Sequence, residues 1–181
     1  MSRTPTTYSQ AAIDLAHPLV KERLARCDLQ GEVPLPWGGG FTVITCMEVL
    51  EHLPDDTTAL GHIARALEPG GRLFISVPAW QSNWGPQDEA AGHVRRYEPA
   101  LLRARIEQAG LRLKRMKCWG GPLAWLYLRA ADVIGPQTVM SIRPQGAAGL
   151  AASGIYHILK IDDLLSLPRA PQLLALVEKT G

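Results

Sequence analysis

The stretch FTVITCMEVLEHLPDDTTALGHIARALEPGGRLFISVP, residues 41–78, decides the fold of this chain. Phe41 to Met47 is a short uncharged run rich in β-branched residues, the pattern of a strand buried on both faces. Asp55, Asp56, Thr57 and Thr58 can cap the segment that follows, in which Leu60, Ile63, Ala64 and Leu67 recur at helical spacing. Pro69-Gly70-Gly71 then stops the helix and turns the chain. Leu73 to Val77 reads as a second buried strand. Strand, helix and parallel strand in so short a span predict a βαβ unit, and the fold class is α/β with a doubly wound, Rossmann-like sheet.

Composition limits what surrounds this unit. The 181 residues support one domain with a sizeable core, and the 46% hydrophobic content fits a soluble globular protein. A net charge of +2 is too small to argue for nucleic acid. Cys27, Cys46 and Cys118 are odd in number and lack C-x-x-C spacing, so they read as reduced core thiols. The polar start MSRTPTTYSQ has no apolar core of a secretory signal, and the expected location is cytoplasmic.

Upstream of Phe41, Ala11 to Leu15 is a short apolar run containing Asp14. In a doubly wound sheet a ribose-binding acid sits at such a strand end; a helix-start or surface Asp is the competing reading. Leu19 to Arg26 reads as a charged helical segment, and Arg26-Cys27-Asp28-Leu29 as a short strand with Asp28 at its carboxyl end. Downstream, Pro78 to Tyr97 is a long polar loop, and loops of that length inside a domain are more often functional than decorative. Pro99 suits a first helical position, with Leu101, Leu102, Ala104, Ile106 and Ala109 as the apolar face and Gly110 as the stop. Leu111 to Cys118 alternates with one slip, as a strand with one wet face would. Gln172 to Val177 is expected as a last strand added at the sheet edge. The organisation expected is a single domain: a core over 11–118, a variable lid or substrate region over 119–170, and the last strand over 171–181.

Three stretches, LPWGGGFTVITCMEVLEHLPD, LEPGGRLFISVP and GHVRRYEPALLRARIEQAG, resemble class I S-adenosylmethionine-dependent methyltransferases in their order and spacing. The resemblance covers residues 11–118 well. It implies methyl transfer from S-adenosylmethionine, with Asp14 matching the ribose acid, Asp28 and Leu29 the adenine side, and Cys46, Met47 and Glu48 the methionine side. One departure is large: no G-x-G-x-G occurs in the chain, and too few residues precede Ile13 for the family's first strand. The glycines of that turn let the backbone approach the ligand closely. The chain therefore reads either as a truncated methyltransferase or as a non-catalytic relative that serves as a pseudoenzyme or partner-binding domain.

Glu48, Glu51 and His52 stand at i, i+3 and i+4, on one side of a helical turn, and supply oxygen and nitrogen ligands suited to a divalent ion. This E-x-x-E-H resembles the metal site of methyltransferases acting on ubiquinone precursors and on small-RNA ends, where a further histidine completes the set; His93 holds the comparable place. Glu51 and His52 as braces of the loop are the competing reading. His52 and His93 are also the base candidates for removing the acceptor proton. Arg95, Arg96 and Tyr97 at the crevice rim are candidates for binding an acidic acceptor group, and Trp80 and Trp84 for an aromatic wall. The acceptor is expected to be a small molecule. No transmembrane span is legible, and an exposed sheet edge would favour a homodimer.

Overall fold

In a computed structural model of the chain, residues 6–7, 14, 24–31, 38–122 and 168–181 are described. Four strands form the main sheet: β3 (Phe41–Met47), β4 (Leu67–Pro78), β5 (Leu111–Trp119) and β6 (Gln172–Lys179), in the order β3-β4-β6-β5. β3 and β4 run parallel, while β6 is antiparallel to both β4 and β5. The βαβ unit and the Rossmann-like architecture that the sequence implies are thus present, and the antiparallel β6 makes the sheet a mixed one. A separate two-residue parallel pair joins β1 (Thr6–Thr7) to β2 (Ala25–Arg26). A short strand therefore does stand before Ile13, and Ala25–Arg26 is strand rather than the end of a helix.

The register explains the core. Ile44, Leu73, Val177 and Leu113 form one cross-strand row; Cys46, Ile75, Ala175 and Met116 form the next; Val77, Leu173 and Cys118 form a third. These rows pack in one cluster with Ala59, Leu60, Ile63 and Ala64 of helix α1 (Asp56–Ala66) and with Leu102 and Ile106 of α3 (Pro99–Gln108). Each fully buried leucine or isoleucine contributes about 1.5–3 kcal/mol of transfer free energy. Asp55 caps α1 by accepting the Thr58 amide at 3.0 Å.

Two strands differ from expectation. β4 begins at Leu67 and carries the Pro69-Gly70-Gly71 turn inside it: from Phe41 to Val43 the partner advances from Leu67 to Arg72. The chain bulges there and resumes pairing. Gly71 is required by close approach, since a Cβ would lie 2.8 Å from the Glu68 carbonyl and 2.9 Å from that of Phe41. β6 is not an edge strand but lies between β4 and β5, because both of its faces are apolar enough to be covered: Leu173, Ala175 and Val177 are buried, and Leu174 and Leu176 half-buried. In β5 the expected slip is real, with a register shift between Leu113 and Arg115.

The long loop is partly structured. It contains a 3-10 turn at Gln81–Asn83 and helix α2 (Pro86–Ala91), started by Pro86 at its first turn. Its two ends are pinned together, with the Trp80 amide donating to Tyr97 O at 3.0 Å and the Tyr97 amide to Pro78 O at 2.9 Å. No helix among the described residues is long and apolar enough to cross a membrane. The lid region expected over 119–170 lies outside the described residues from 123 to 167.

Candidate functional site

β3, β4 and β5 end on the same side of the sheet, where β6 begins, and open α/β sheets bind ligands at that edge. After Met47 the chain turns sharply. Glu48 takes a left-handed conformation with φ of 52°, and Leu50–His52 forms a 3-10 turn. Such a backbone costs a non-glycine residue roughly 1 kcal/mol or more and is sustained by local contacts. Here the Ser76 hydroxyl donates to Glu48 Oε1 at 2.6 Å and Gln172 Nε2 donates to Oε2 at 3.1 Å. The helical turn expected from Glu48 to His52 is therefore broken at its first member. Glu48 stands outside the cluster that Glu51, His52 and His93 form.

Those three residues each offer one ligand atom, all within 4.8 Å of one another. The rings of His52 and His93 meet edge to face with centroids 4.7 Å apart. The backbone zips the two segments together: the Val94 amide donates to Glu51 O at 2.8 Å, and His52 Nδ1 lies 3.4 Å from Gly92 O. His93 Nδ1 lies 2.8 Å from Asp88 Oδ1.

Glu51 is fully buried, and neither carboxylate oxygen has a hydrogen-bond partner among the described residues. Burial pushes its carboxyl up to about 8, and the charges of Glu48 and Asp88 act in the same direction. A carboxylate so placed is stable as an anion only beside a cation. The unpaired oxygens, together with two imidazoles whose Nδ1 atoms face carbonyl or carboxylate acceptors, are a donor set that would fit a divalent ion. The nearest approach of His52 Nε2 to Glu51 Oε1 is 3.9 Å.

Behind this cluster lies a second, closed one. Asp88 is fully buried and accepts from Arg96 Nε at 2.9 and 3.0 Å, from Arg96 Nη2 at 2.9 Å and from the Gly85 amide at 2.9 Å. Burial alone would raise its carboxyl, but the bonds from Arg96, His93 and Gly85 outweigh it and hold the group below its ordinary value. Asp56 is likewise buried and takes the Tyr97 hydroxyl at 2.7 Å, Arg95 at 3.2 Å and Arg105 at 3.1 Å.

Arg95, Arg96 and Tyr97 are consequently not rim residues awaiting an acidic ligand. The Arg96 guanidinium is buried on Asp88, Tyr97 is fully buried, and Arg95 also donates to the carbonyls of Leu53 and Pro54 at 2.6 and 2.7 Å. Trp80 donates to Ala170 O at 2.9 Å and carries Arg169 over its ring at 5.4 Å, while Trp84 is half-buried. On the expected donor side, Cys46 faces the core, its thiol pushed up to about 12 by burial and by Glu51 and Glu48, whereas Met47 is 51% exposed. Asp14 is helical and exposed rather than at a strand end. Asp28 is exposed in a turn, accepting the Gln30 amide at 2.9 Å, and Leu29 packs against the core beside it. Gln30 Oε1 in turn accepts the Asp55 amide at 3.0 Å, which ties this turn to the start of α1. Sequence reasoning assigns no site role to Asp88, Ser76 or Gln172, and reads Asp56 only as one of the residues that can cap α1. Only Asp88 carried a local signal, a carboxylate two residues after a helix-starting proline.

Known proteins share this fold. The methyltransferase domain family matches residues 8–115, more than half of the chain. A ubiquinone biosynthesis O-methyltransferase of Xanthomonas oryzae pv. oryzae is 54% identical over 39 residues, 22% of this chain and 16% of that protein. Its counterpart from Xanthomonas axonopodis pv. citri is 41% identical over 79 residues, covering 36% and 32%. The matches thus span a third or less of these relatives' length. Among solved structures, a candidate methyltransferase of Bacillus halodurans C-125 superposes with a TM-score of 0.63 at 14% identity, covering 97% of this chain and 82% of that one. Phosphoethanolamine N-methyltransferase 2 of Haemonchus contortus, in complex with S-adenosyl-L-methionine, gives 0.54 at 16% identity, covering 97% and 43%. At such identity these structures speak for the fold alone. On the family match and the sheet order together, the chain belongs to the methyltransferase domain family.

Proposed function

We propose that this domain serves S-adenosylmethionine-dependent methyl transfer to a hydroxyl oxygen of a small-molecule acceptor, with a divalent ion held by Glu51, His52 and His93. The observation that carries the reading is the buried carboxylate of Glu51, unpartnered and grouped with two imidazoles at the ligand edge of the sheet. The O-methyltransferase relatives favour oxygen as the acceptor atom. A divalent ion in that position supplies an acidified acceptor hydroxyl, ready to attack the sulfonium methyl.

The chain's own part is mostly placement, since the sulfonium is already activated and in-line positioning supplies much of the rate. Val94 and Gly92 hold the histidine segment against the Glu51 turn. His52, with its side chain 38% exposed, is the better placed of the two imidazoles to take the acceptor's proton when not engaged as a ligand. Met47 and Glu48 border the donor side, and acceptor selectivity belongs to residues 79–97 and to the segment that follows β5.

Calorimetry with S-adenosylmethionine tests the donor half: saturable heat supports it, and no heat at near-millimolar ligand ends it. A Glu51→Ala, His52→Ala double variant that methylates normally in excess chelator would sink the metal half. Saturable heat in the same calorimetry decides against a second reading, a non-catalytic methyltransferase-like domain. Self-association through a sheet edge is a corollary of either reading; a clean monomer on size-exclusion chromatography counts against it.

A further inference from the structure

We infer that Asp88 is the positioning residue of His93: it fixes the imidazole as the Nδ1–H tautomer and so presents Nε2 to the Glu51 and His52 cluster. The inference rests on the metal reading above for its purpose, but its geometry stands by itself. Asp88 Oδ1 lies 2.8 Å from His93 Nδ1, and the Asp88 carbonyl accepts the His93 amide at 2.9 Å, so one residue holds both ends of the histidine. Asp88 cannot rotate away. Arg96 grips it through Nε and Nη2, the Gly85 amide binds Oδ2, and all of these groups are buried.

A buried carboxylate with no proton to give accepts only from an N–H, which requires the proton of a neutral His93 to be on Nδ1. Nε2 is then the basic nitrogen, and the His93 side chain, 15% exposed, is the half-open end of a rigid column running Arg96, Asp88, His93. Such carboxylate–histidine partners orient the ring and raise ligand basicity, and their loss commonly costs 10–100-fold in metal affinity.

The test uses the whole chain with ¹⁵N-labelled histidine. In chelator, two-bond ¹H–¹⁵N correlation spectra should show His93 as the Nδ1–H tautomer; an Nε2–H tautomer in the unsubstituted chain overturns the inference without any variant. Asp88→Asn combined with Arg96→Met, which leaves no stranded guanidinium, should lose the Nδ1–H signature and weaken Co(II) binding, followed by visible absorption, about 10–100-fold. Arg96→Lys perturbs the same buried cluster but keeps the carboxylate, and should retain the signature. If both variants lose it equally, Asp88 is only part of the packing and the inference fails. If the unsubstituted chain shows Nδ1–H but takes up no Co(II), the metal reading fails while the assignment of Asp88 holds.

Discussion

At the scale of single residues the most informative group is Glu51. Its carboxyl, ordinarily near 4.5, is raised to about 8 chiefly by burial. In chelator the folded chain then keeps a proton that the unfolded chain releases, so stability should fall as pH rises from about 4.5 to 8 and level off above. Within that window the slope should approach, at its steepest, about 1.4 kcal/mol per pH unit. Glu51→Gln should remove that slope, as chemical denaturation across this pH range would reveal; an unchanged slope places the titration elsewhere. Gly71→Ala sets a Cβ against two backbone carbonyls and should cost about 2–3 kcal/mol in the same assay. Pro69-Gly70-Gly71 was legible as a turn. That the turn lies inside a strand was not, because the pairing with Phe41 on the neighbouring strand, whose carbonyl is one of the two that demand glycine, is a tertiary contact.

At the scale of elements, the loop between β4 and α3 is organised from its charged side chains inward. Eight basic residues between Arg95 and Lys117 look in sequence like a solvated face or an anion site. In the fold Arg95 and Arg105 close on Asp56, Arg96 closes on Asp88, and Arg112 and Lys114 pair with Glu178. The last group, like the pair that Arg103 makes with Glu107, is a surface arrangement, of the kind worth little. Tyr97 joins this loop to α1 by donating to Asp56, 41 positions earlier, and Tyr97→Phe leaves that buried carboxylate short of a donor. Thermal unfolding should show a loss of about 1–3 kcal/mol; a neutral substitution would mean that Arg95 and Arg105 suffice. The histidine cluster was half legible. Glu51 and His52 are neighbours in the chain, and His93 could be matched by resemblance, but Glu48 was lost because its left-handed backbone breaks the expected helical spacing.

At the scale of the whole molecule, β6 holds the sheet together. It pairs with β4 along Arg72–Pro78 and with β5 along Leu111–Trp119, so the last residues of the chain join two halves that otherwise do not touch as strands. Removing residues 172–181 should abolish cooperative unfolding, where deleting an edge strand would only lower the midpoint; circular dichroism melting of the shortened chain separates the two. The same insertion brings Gln172 to Glu48 at 3.1 Å, coupling the C-terminal strand to the candidate site.

By itself the sequence determined the βαβ unit, the α/β class and the family, because strand runs, helical periodicity and the E-x-x-E-H and P-G-G motifs are properties of short segments. Tertiary structure alone decided that β6 lies inside the sheet, that Arg96 and Tyr97 are buried, and that Asp88 stands behind His93. Each of these turns on which distant groups share a low-dielectric interior, where a polar side chain must find its partner regardless of how far along the chain that partner lies.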